Sequence, residues 1–262
     1  MACTRMFDCS CRVIAIFCAA SLLTLSTAQA TPQVNSAPPA NREHESMDMD
    51  MSMPDHWSSG PEQRAAFKDK KESEFNHHLA GFLVVLAGLF LVGEGRLRQN
   101  WPWTRFAWPA CFLVCGVFLL VFSDTELWPF GPQNWWYGLT HNPEDLQHKA
   151  FAAILLALGA IEIERARGVL RTAWAAWVFP ALAAVGSVML LFHEHYGGAH
   201  SIDHMAVMSH IKGEHLNFAI TGGSVGLVKG LSEMRTRWQS ILIKCWPLLL
   251  IVLGVLLMRY SE

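Results

Sequence analysis

The chain has 262 residues, of which 52% are hydrophobic and 16% are charged, and its mean hydropathy is +0.24. Soluble domains carry about 25% charged residues, so this composition favours a membrane protein over a soluble one. The formal net charge of −2 and the lack of a basic cluster interleaved with aromatic residues argue against a nucleic-acid partner.

The N-terminal segment, residues 1–30, has the organisation of a secretory signal peptide. Arg5 and Arg12 flank the start of a short apolar run, and Ala28-Gln29-Ala30 has the small residues of a cleavage site. We expect cleavage after Ala30 rather than an uncleaved first helix. The reason is that the apolar run is shorter than the about 20 residues that cross a bilayer.

Cleavage would leave three of the seven cysteines, Cys111, Cys115 and Cys245, and all three lie inside apolar runs. A disulfide framework in the exported segments is therefore excluded. We expect the three thiols to pack as small apolar side chains, and the alternative is a thiolate relay for copper.

Residues 31–60 are polar and contain almost no aliphatic side chains, which predicts a disordered tail exported to the periplasm. Methionines alternate with polar residues in this tail, although a disordered segment has no core for them to fill. Several thioethers in a flexible chain suit Cu(I), so we expect a copper-capture tail, with compositional drift as the alternative. The residues of this capture tail are His44, Met47, Met49, Met51, Met53 and His56.

The remainder of the chain, residues 61–262, predicts an all-α transmembrane domain, a bundle of six spans. Six apolar runs each approach the length that a membrane-spanning helix needs. They cover approximately residues 77–95, 106–124, 146–163, 174–192, 213–231 and 239–258.

Two local patterns add detail to this bundle. Asn142 followed by Pro143 predicts the start of the third spanning helix. Gly222, Gly226 and Gly230 repeat every four residues in the fifth run, which predicts that another helix approaches closely along this stripe.

The loops between the runs differ in charge and predict the orientation of the chain. Loops 96–105, 164–173 and 229–238 each carry Lys or Arg, whereas loops 125–145 and 193–210 carry neither. Basic loops stay in the cytoplasm, so we expect both mature termini in the periplasm. An exported start and compact loops indicate a multi-pass protein of the bacterial inner membrane.

In this orientation all twelve histidines lie in the tail or at the outer boundary of the spans, and four helices contribute to that layer. A single boundary histidine is usually an interfacial side chain, but histidines from four helices at one depth predict a shared metal or cofactor site. Imidazole binds copper and zinc, and thioethers select Cu(I).

The region of the fifth helix has a stripe of such ligands. Met208 and His215 follow His204 by four and eleven positions, which places the three within about 40° on one helical face. This combination of imidazole and thioether fits copper better than zinc. The predicted copper ligands are His78, His148, His193, His204, Met208 and His215.

The segment HEHYGGAHSIDHMAVMSHIKGEH, residues 193–215, leads into the glycine-rich fifth run. Together with the Met/His tail and the outward histidines, it resembles the bacterial copper-resistance D (CopD-like) group of inner-membrane proteins. The resemblance implies copper handling at the inner membrane, with a periplasmic copper carrier as a partner. Members of that group often have eight spans, whereas six are predicted here after cleavage.

Two other functions are compatible with the pattern. Histidines on facing helices, such as His78 and His215, are the kind of axial ligands that a b-type haem has in an electron-transferring membrane cytochrome. A structural or assembly protein with incidental histidines is the third candidate. We rank copper uptake or resistance first, because haem ligation leaves the methionines unexplained. The sequence has no nucleotide-binding loop, and we expect a binding protein rather than an enzyme.

Overall fold

The computed structural model describes residues 61–192 and 202–261, and every regular element in these residues is a helix. An isolated β-bridge joins Leu127 and Gln133 in the loop after the second long helix. The predicted all-α class is therefore confirmed. The helices are α1 (Pro61–Asn100), a 3-10 turn (Pro102–Phe106), α2 (Ala107–Phe122), α3 (Trp135–His141), α4 (Pro143–Arg167), α5 (Ala175–Leu191), α6 (Ile202–Glu233) and α7 (Gln239–Met258).

Four helical segments are long and apolar enough to cross a membrane, judged by length and composition, and this supports the predicted membrane character. Helix α5 is also apolar but has 17 residues. Each of the six predicted apolar runs coincides with one long helix, while the number of spans stays a prediction. The four segments are Lys70–Asn100, Pro102–Phe122, Pro143–Arg167 and Gln239–Met258.

The six long helices form a closed ring. Helix α1 packs against α2 and α7, and the ring continues through contacts of α2 with α4, α4 with α5, α5 with α6, and α6 with α7. Its core contains Phe112, Phe179, Val225 and Leu250, which come from four different helices. A cavity therefore remains along the axis, with lining residues from all six helices.

The two ends of this ring differ in chemistry. Segments 96–105, 164–173 and 229–238 contribute to one cavity at the same end, which we call the basic end. The opposite end, which we call the histidine end, includes the start of α4 and the loop after α2. Hydrogen bonds from Asn76 to Ser123 and from Thr125 to Glu72 join α1 to that loop.

Helix α4 begins where the sequence predicts. The side-chain oxygen of Asn142 accepts a hydrogen bond from the Glu144 N–H at 3.0 Å, and Pro143 occupies the first helical position. Gly168 ends the helix in the left-handed conformation, with φ of 76°. This start places His148 about one and a half turns into α4, at the histidine end.

The glycine stripe of α6 packs against α5, as predicted. A Cβ atom added at Gly226 would lie 2.9 Å from the Cβ of Ala183 and 3.2 Å from the carbonyl oxygen of Pro180. At Gly230 an added Cβ would lie 3.3 Å from the ring of Pro180. The missing side chains therefore set the distance between these two helices.

The signal peptide, residues 1–30, and the tail, residues 31–60, lie outside the described residues, and both stay predictions. The same holds for His193, the predicted ligand that follows α5. In α6 the backbone is described from Ile202, and side chains are described from residue 209 onward.

We expect Gly226→Ala to lower the free energy of unfolding by about 1–3 kcal/mol, because the added methyl group must push α5 and α6 apart. The matched control is Gly213→Ala in the same helix, where an added Cβ has no neighbour within 4 Å. That control should be neutral or stabilising by up to about 1 kcal/mol. Unfolding in detergent micelles measures both, and equal stability of the two variants would contradict the close packing.

Candidate functional site

The central cavity has a volume of about 220 Å³ and is lined mainly by apolar side chains. Its polar residues are few and gather towards the histidine end. Three of them are histidines from different helices: His77 of α1, His148 of α4 and His215 of α6. The cavity is therefore an apolar chamber with imidazoles at one end.

The rings of His77 and His215 are in edge-to-face contact, with centroids 5.8 Å apart and planes at 84°. The ring of His77 also stacks on Tyr260, at a centroid distance of 3.9 Å, and Tyr260 is 1% exposed. The ring of Phe218 lies 5.6 Å from that of His215. These aromatic contacts hold both imidazoles in fixed orientations at the cavity wall.

Each of these two imidazoles is hydrogen-bonded to a backbone carbonyl of its own helix, four residues earlier in the chain. Nδ1 of His77 lies 2.8 Å from the carbonyl oxygen of Ser73, and Nδ1 of His215 lies 2.9 Å from that of Ile211. A carbonyl oxygen can only accept, so Nδ1 carries the proton in both rings. In the neutral imidazole the lone pair is then on Nε2, which is the form that binds a metal.

His148 is held by a carboxylate. Its Nδ1 lies 2.6 Å from Oδ1 of Asp124, which is 4% exposed. The other carboxylate oxygen, Oδ2, lies 2.6 Å from Nζ of Lys149 and accepts a hydrogen bond from the hydroxyl of Ser123. The buried carboxylate therefore connects the loop after α2 to two consecutive residues of α4.

Asp124 lies two positions after Phe122, the last residue of the candidate span, and its pKa is lower than that of an ordinary aspartate. Burial by itself raises the pKa of this carboxyl, because the charged form loses hydration. Hydrogen bonds from His148, Lys149 and Ser123 lower the pKa and outweigh burial, with the bond from His148 the largest of the three. Asp124 is therefore ionised at neutral pH.

In each of the three cavity histidines, Nδ1 is hydrogen-bonded to an oxygen atom of the protein. Metal-binding histidines commonly have such a partner, which selects the tautomer and orients the ring. The three imidazoles do not form a closed coordination sphere, because in the described part of the chain no histidine belongs to a group of three ligand residues within 4.8 Å. The geometry suits a site completed by a bound ion or by further ligands.

Three carboxylate residues do have ligand atoms within 4.8 Å of one another, and they are Asp124, Glu126 and Asp145. Asp145 is 1% exposed, and its Oδ2 has no hydrogen-bond partner among the described residues. Carboxylate oxygens prefer hard cations such as Mg²⁺ or Ca²⁺ rather than Cu(I). This acidic group therefore gives no support to copper.

The predicted ligands differ in where they lie. His148 and His215 line the cavity, whereas His78 does not, and its Nε2 lies 3.0 Å from the carbonyl oxygen of Tyr260. His204 and Met208 belong to α6, with only their backbone described. Outside the described residues lie His193 and the capture tail, His44, Met47, Met49, Met51, Met53 and His56.

Sequence reasoning missed four residues of this site: His77, Asp124, Lys149 and Tyr260. A carboxylate at the end of the apolar run 106–124 and a lysine beside His148 were visible signals, because a charged residue at a membrane boundary requires a partner. The choice between His77 and His78 had no sequence signal, since adjacent residues differ only in the direction they face. Tyr260 follows the last helix and gave no signal either.

A buried cluster of aromatic rings separates the central cavity from the basic end. Trp108, Phe112, Phe179 and Trp246 make contacts with centroid distances from 5.6 to 6.4 Å. Phe112 and Phe179 line the central cavity, and the two tryptophans line the cavity at the basic end. Within the described residues the two cavities have no lining residue in common.

Comparison of the chain with protein-family models, with curated proteins and with solved structures finds no match. The assignment of a function therefore depends on the chemistry of the residues themselves.

We expect Asp124→Asn to lower the free energy of unfolding by about 3–5 kcal/mol at neutral pH, because it leaves the buried ammonium of Lys149 without its carboxylate. The contribution of Asp124 is present above about pH 4 and is lost as the pH falls below that value, since the pKa of this carboxyl is lowered by folding. The difference between wild type and variant should therefore narrow in acid, which unfolding in micelles at several pH values measures.

The control for this prediction is Glu164→Gln. Glu164 pairs with Arg167 at 2.8 Å, but the two side chains are 39% and 58% exposed. Exposed pairs contribute less than about 1 kcal/mol, so this variant should stay close to wild type. A similar small loss in Asp124→Asn would show that the buried carboxylate does not stabilise the histidine end.

Proposed function

We propose that this chain is a copper-binding protein of the bacterial inner membrane that serves copper uptake or resistance, with its site at the histidine end. The observation that carries the proposal is the set of cavity histidines, His77, His148 and His215. They come from three helices to one cavity, and each has Nδ1 at an oxygen atom. The proposal is a binding function without a catalytic step.

In this proposal the ligand atoms are the Nε2 atoms of the three imidazoles. Ser73 and Ile211 orient two of the rings through their backbone carbonyls, while Asp124 orients His148. A carboxylate as the outer partner also raises the basicity of the imidazole. The ligand set therefore combines oriented rings with a cavity that is lined mainly by apolar side chains.

Copper is favoured over zinc by the composition around the site. Imidazole alone suits both metals, but thioethers select Cu(I). Met208 precedes the cavity residue His215 by seven positions in α6 and follows His204 by four. His193, His204 and Met208 are in this proposal the ligands that complete the site, and His77 takes the position that the sequence suggested for His78.

The proposal includes a topology. Six helices cross the inner membrane after cleavage of residues 1–30, and both mature termini lie in the periplasm. The support is the separation of chemistry between the ends of the ring, since the cavity at the basic end is lined by Arg98, Arg105, Arg165, Arg171 and Lys229. Basic segments stay in the cytoplasm, so the histidine end faces the periplasm.

The tail, residues 31–60, is the capture arm of this proposal. It would collect Cu(I) on its methionines, from solution or from a periplasmic copper carrier, and pass the ion to the histidines. The support is the alternation of thioethers between His44 and His56 in a segment that has no core to fill.

The alternative, a b-type haem cytochrome, receives less support from the geometry. The cavity of about 220 Å³ is smaller than the ~300–1,000 Å³ of typical cofactor sites. The rings of His77 and His215 touch edge to face, whereas a haem iron would have to lie between its two axial ligands. A red protein with a Soret band after purification would nevertheless favour haem over copper.

We expect the double variant His77→Ala/His215→Ala to bind Cu(I) at least about tenfold more weakly than the wild type. Even the loss of an outer hydrogen-bond partner of a ligand costs that much. Competition titration of the detergent-purified full chain with a colorimetric Cu(I) chelator measures the affinity. The single variant His148→Ala should show a loss in the same direction.

The matched control is His78→Ala, which removes the imidazole adjacent to His77 in the same helix but outside the cavity. Its affinity should equal that of the wild type. Unchanged Cu(I) affinity in the double variant would contradict the cavity site. A large loss of Cu(I) affinity in His78→Ala would indicate that His78 is a ligand instead.

Replacing Met47, Met49, Met51 and Met53 by serine should reduce the number of Cu(I) ions bound per chain without changing the affinity of the cavity site. The reason is that serine keeps the tail polar but removes the thioethers. Elemental analysis after equilibrium dialysis measures the ratio. The control variant Asp48→Asn/Asp50→Asn keeps the thioethers and should bind as many ions as the wild type, and an unchanged ratio in both variants would reject the capture arm.

A further inference from the structure

The basic end contains a second cavity, which has a volume of about 670 Å³. It lies on the other side of the aromatic cluster from the histidines. This volume is within the ~300–1,000 Å³ of small-molecule sites. The copper proposal makes no use of this cavity, and its lining has a different chemistry.

The charges that line this cavity are unbalanced. Five cationic side chains line it, against three carboxylates, Glu94, Glu162 and Glu233. Arg165 bonds Glu162 at 2.7 Å and Glu233 at 3.2 Å, while Lys229 also pairs with Glu233. Arg98 lies 3.8 Å from Glu94. All three carboxylates therefore have a cation already.

Arg105 and Arg171 are the two cations without a carboxylate partner among the described residues. Nε of Arg105 is buried and has no hydrogen-bond partner among the described residues. Its guanidinium lies over the ring of Phe106, at 4.7 Å from the centroid, which orients it. Nε of Arg171 bonds the carbonyl oxygen of Gly168, which accounts for one of its five donors.

We propose that this cavity binds a phosphate-bearing anion between Arg105 and Arg171. Guanidinium groups match the oxygens of phosphate with paired N–H donors, and such charge-assisted bonds are the strong ones. The buried Nε of Arg105 is costly to leave unpaired, by about 1–3 kcal/mol. An anion in the cavity supplies both the missing acceptor and the missing negative charge.

The phosphate can come from two sources. A soluble phosphate or phosphate ester would enter the cavity from the aqueous side of the basic end. The headgroup of an anionic lipid would enter from the membrane surface, because the cavity is at an end of the bundle. The chemistry that Arg105 and Arg171 recognise is the same in both cases.

The test measures stabilisation of the full chain, purified in a zwitterionic detergent, by two probes. One probe is inorganic phosphate at constant ionic strength, which is maintained with sodium chloride. The other is phosphatidylglycerol added to the micelles, with phosphatidylcholine as its neutral counterpart. We expect at least one probe to raise the unfolding temperature of the wild type in a saturable way.

The variants Arg105→Gln and Arg171→Gln should each weaken that binding by about tenfold or more, because each removes a charged donor. Arg171 is exposed, so its variant tests the proposal even where the buried change at Arg105 unfolds the chain. The matched control is Arg167→Gln, which removes a cation at the same end but outside the cavity and should bind as the wild type does.

The outcomes separate the sources and decide the proposal. Saturable stabilisation by phosphate supports a soluble anion, and stabilisation by phosphatidylglycerol alone supports a lipid headgroup. No stabilisation by either probe would overturn the proposal. So would equal binding by the wild type and the Arg171→Gln variant, because the effect would then be general charge screening.

Discussion

Charged groups inside this bundle need partners inside the bundle, and that constraint organises both of its ends. Removing an ion from water costs several kcal/mol unless a partner of opposite charge is close. At the histidine end, Asp124 contacts both His148 and Lys149. At the basic end, Arg165 of α4 bonds Glu233 of α6. The pairs that make burial of these charges possible therefore also connect elements of the ring that are distant in the chain.

The interior between those ends has the opposite character. Four aromatic rings from α2, α5 and α7 fill the bundle there with edge-to-face contacts, and Lys229 lies over the ring of Trp246 on the side of the basic end. The two cavities consequently differ in chemistry as well as in position. Imidazoles at one end suit a soft or borderline metal, whereas guanidinium groups at the other suit an anion.

The elements that were predictable are those with a local cause. Asn142 and Pro143 mark the start of α4 because a side-chain acceptor and a fixed φ both act within one turn. Gly226 marks a close helix contact because a missing side chain has few other uses in an apolar helix. For the site, only the depth of the histidines along the helices was predictable. The spacing of apolar runs indicates how far along a helix a histidine lies, but not whether its side chain faces the cavity.

By itself, the sequence determined the helical class of the described residues, and it predicted His148 and His215 at one end of the bundle and three basic loops at the other. These properties follow from length, hydropathy and the order of charges along the chain. Only the tertiary structure decided that His77 rather than His78 lines the cavity, that Asp124 orients His148, and that Tyr260 packs on His77. The physical reason is that these contacts depend on the rotation of each helix about its axis and on neighbours far apart in the chain. Both are settled by the packing of six helices around one cavity.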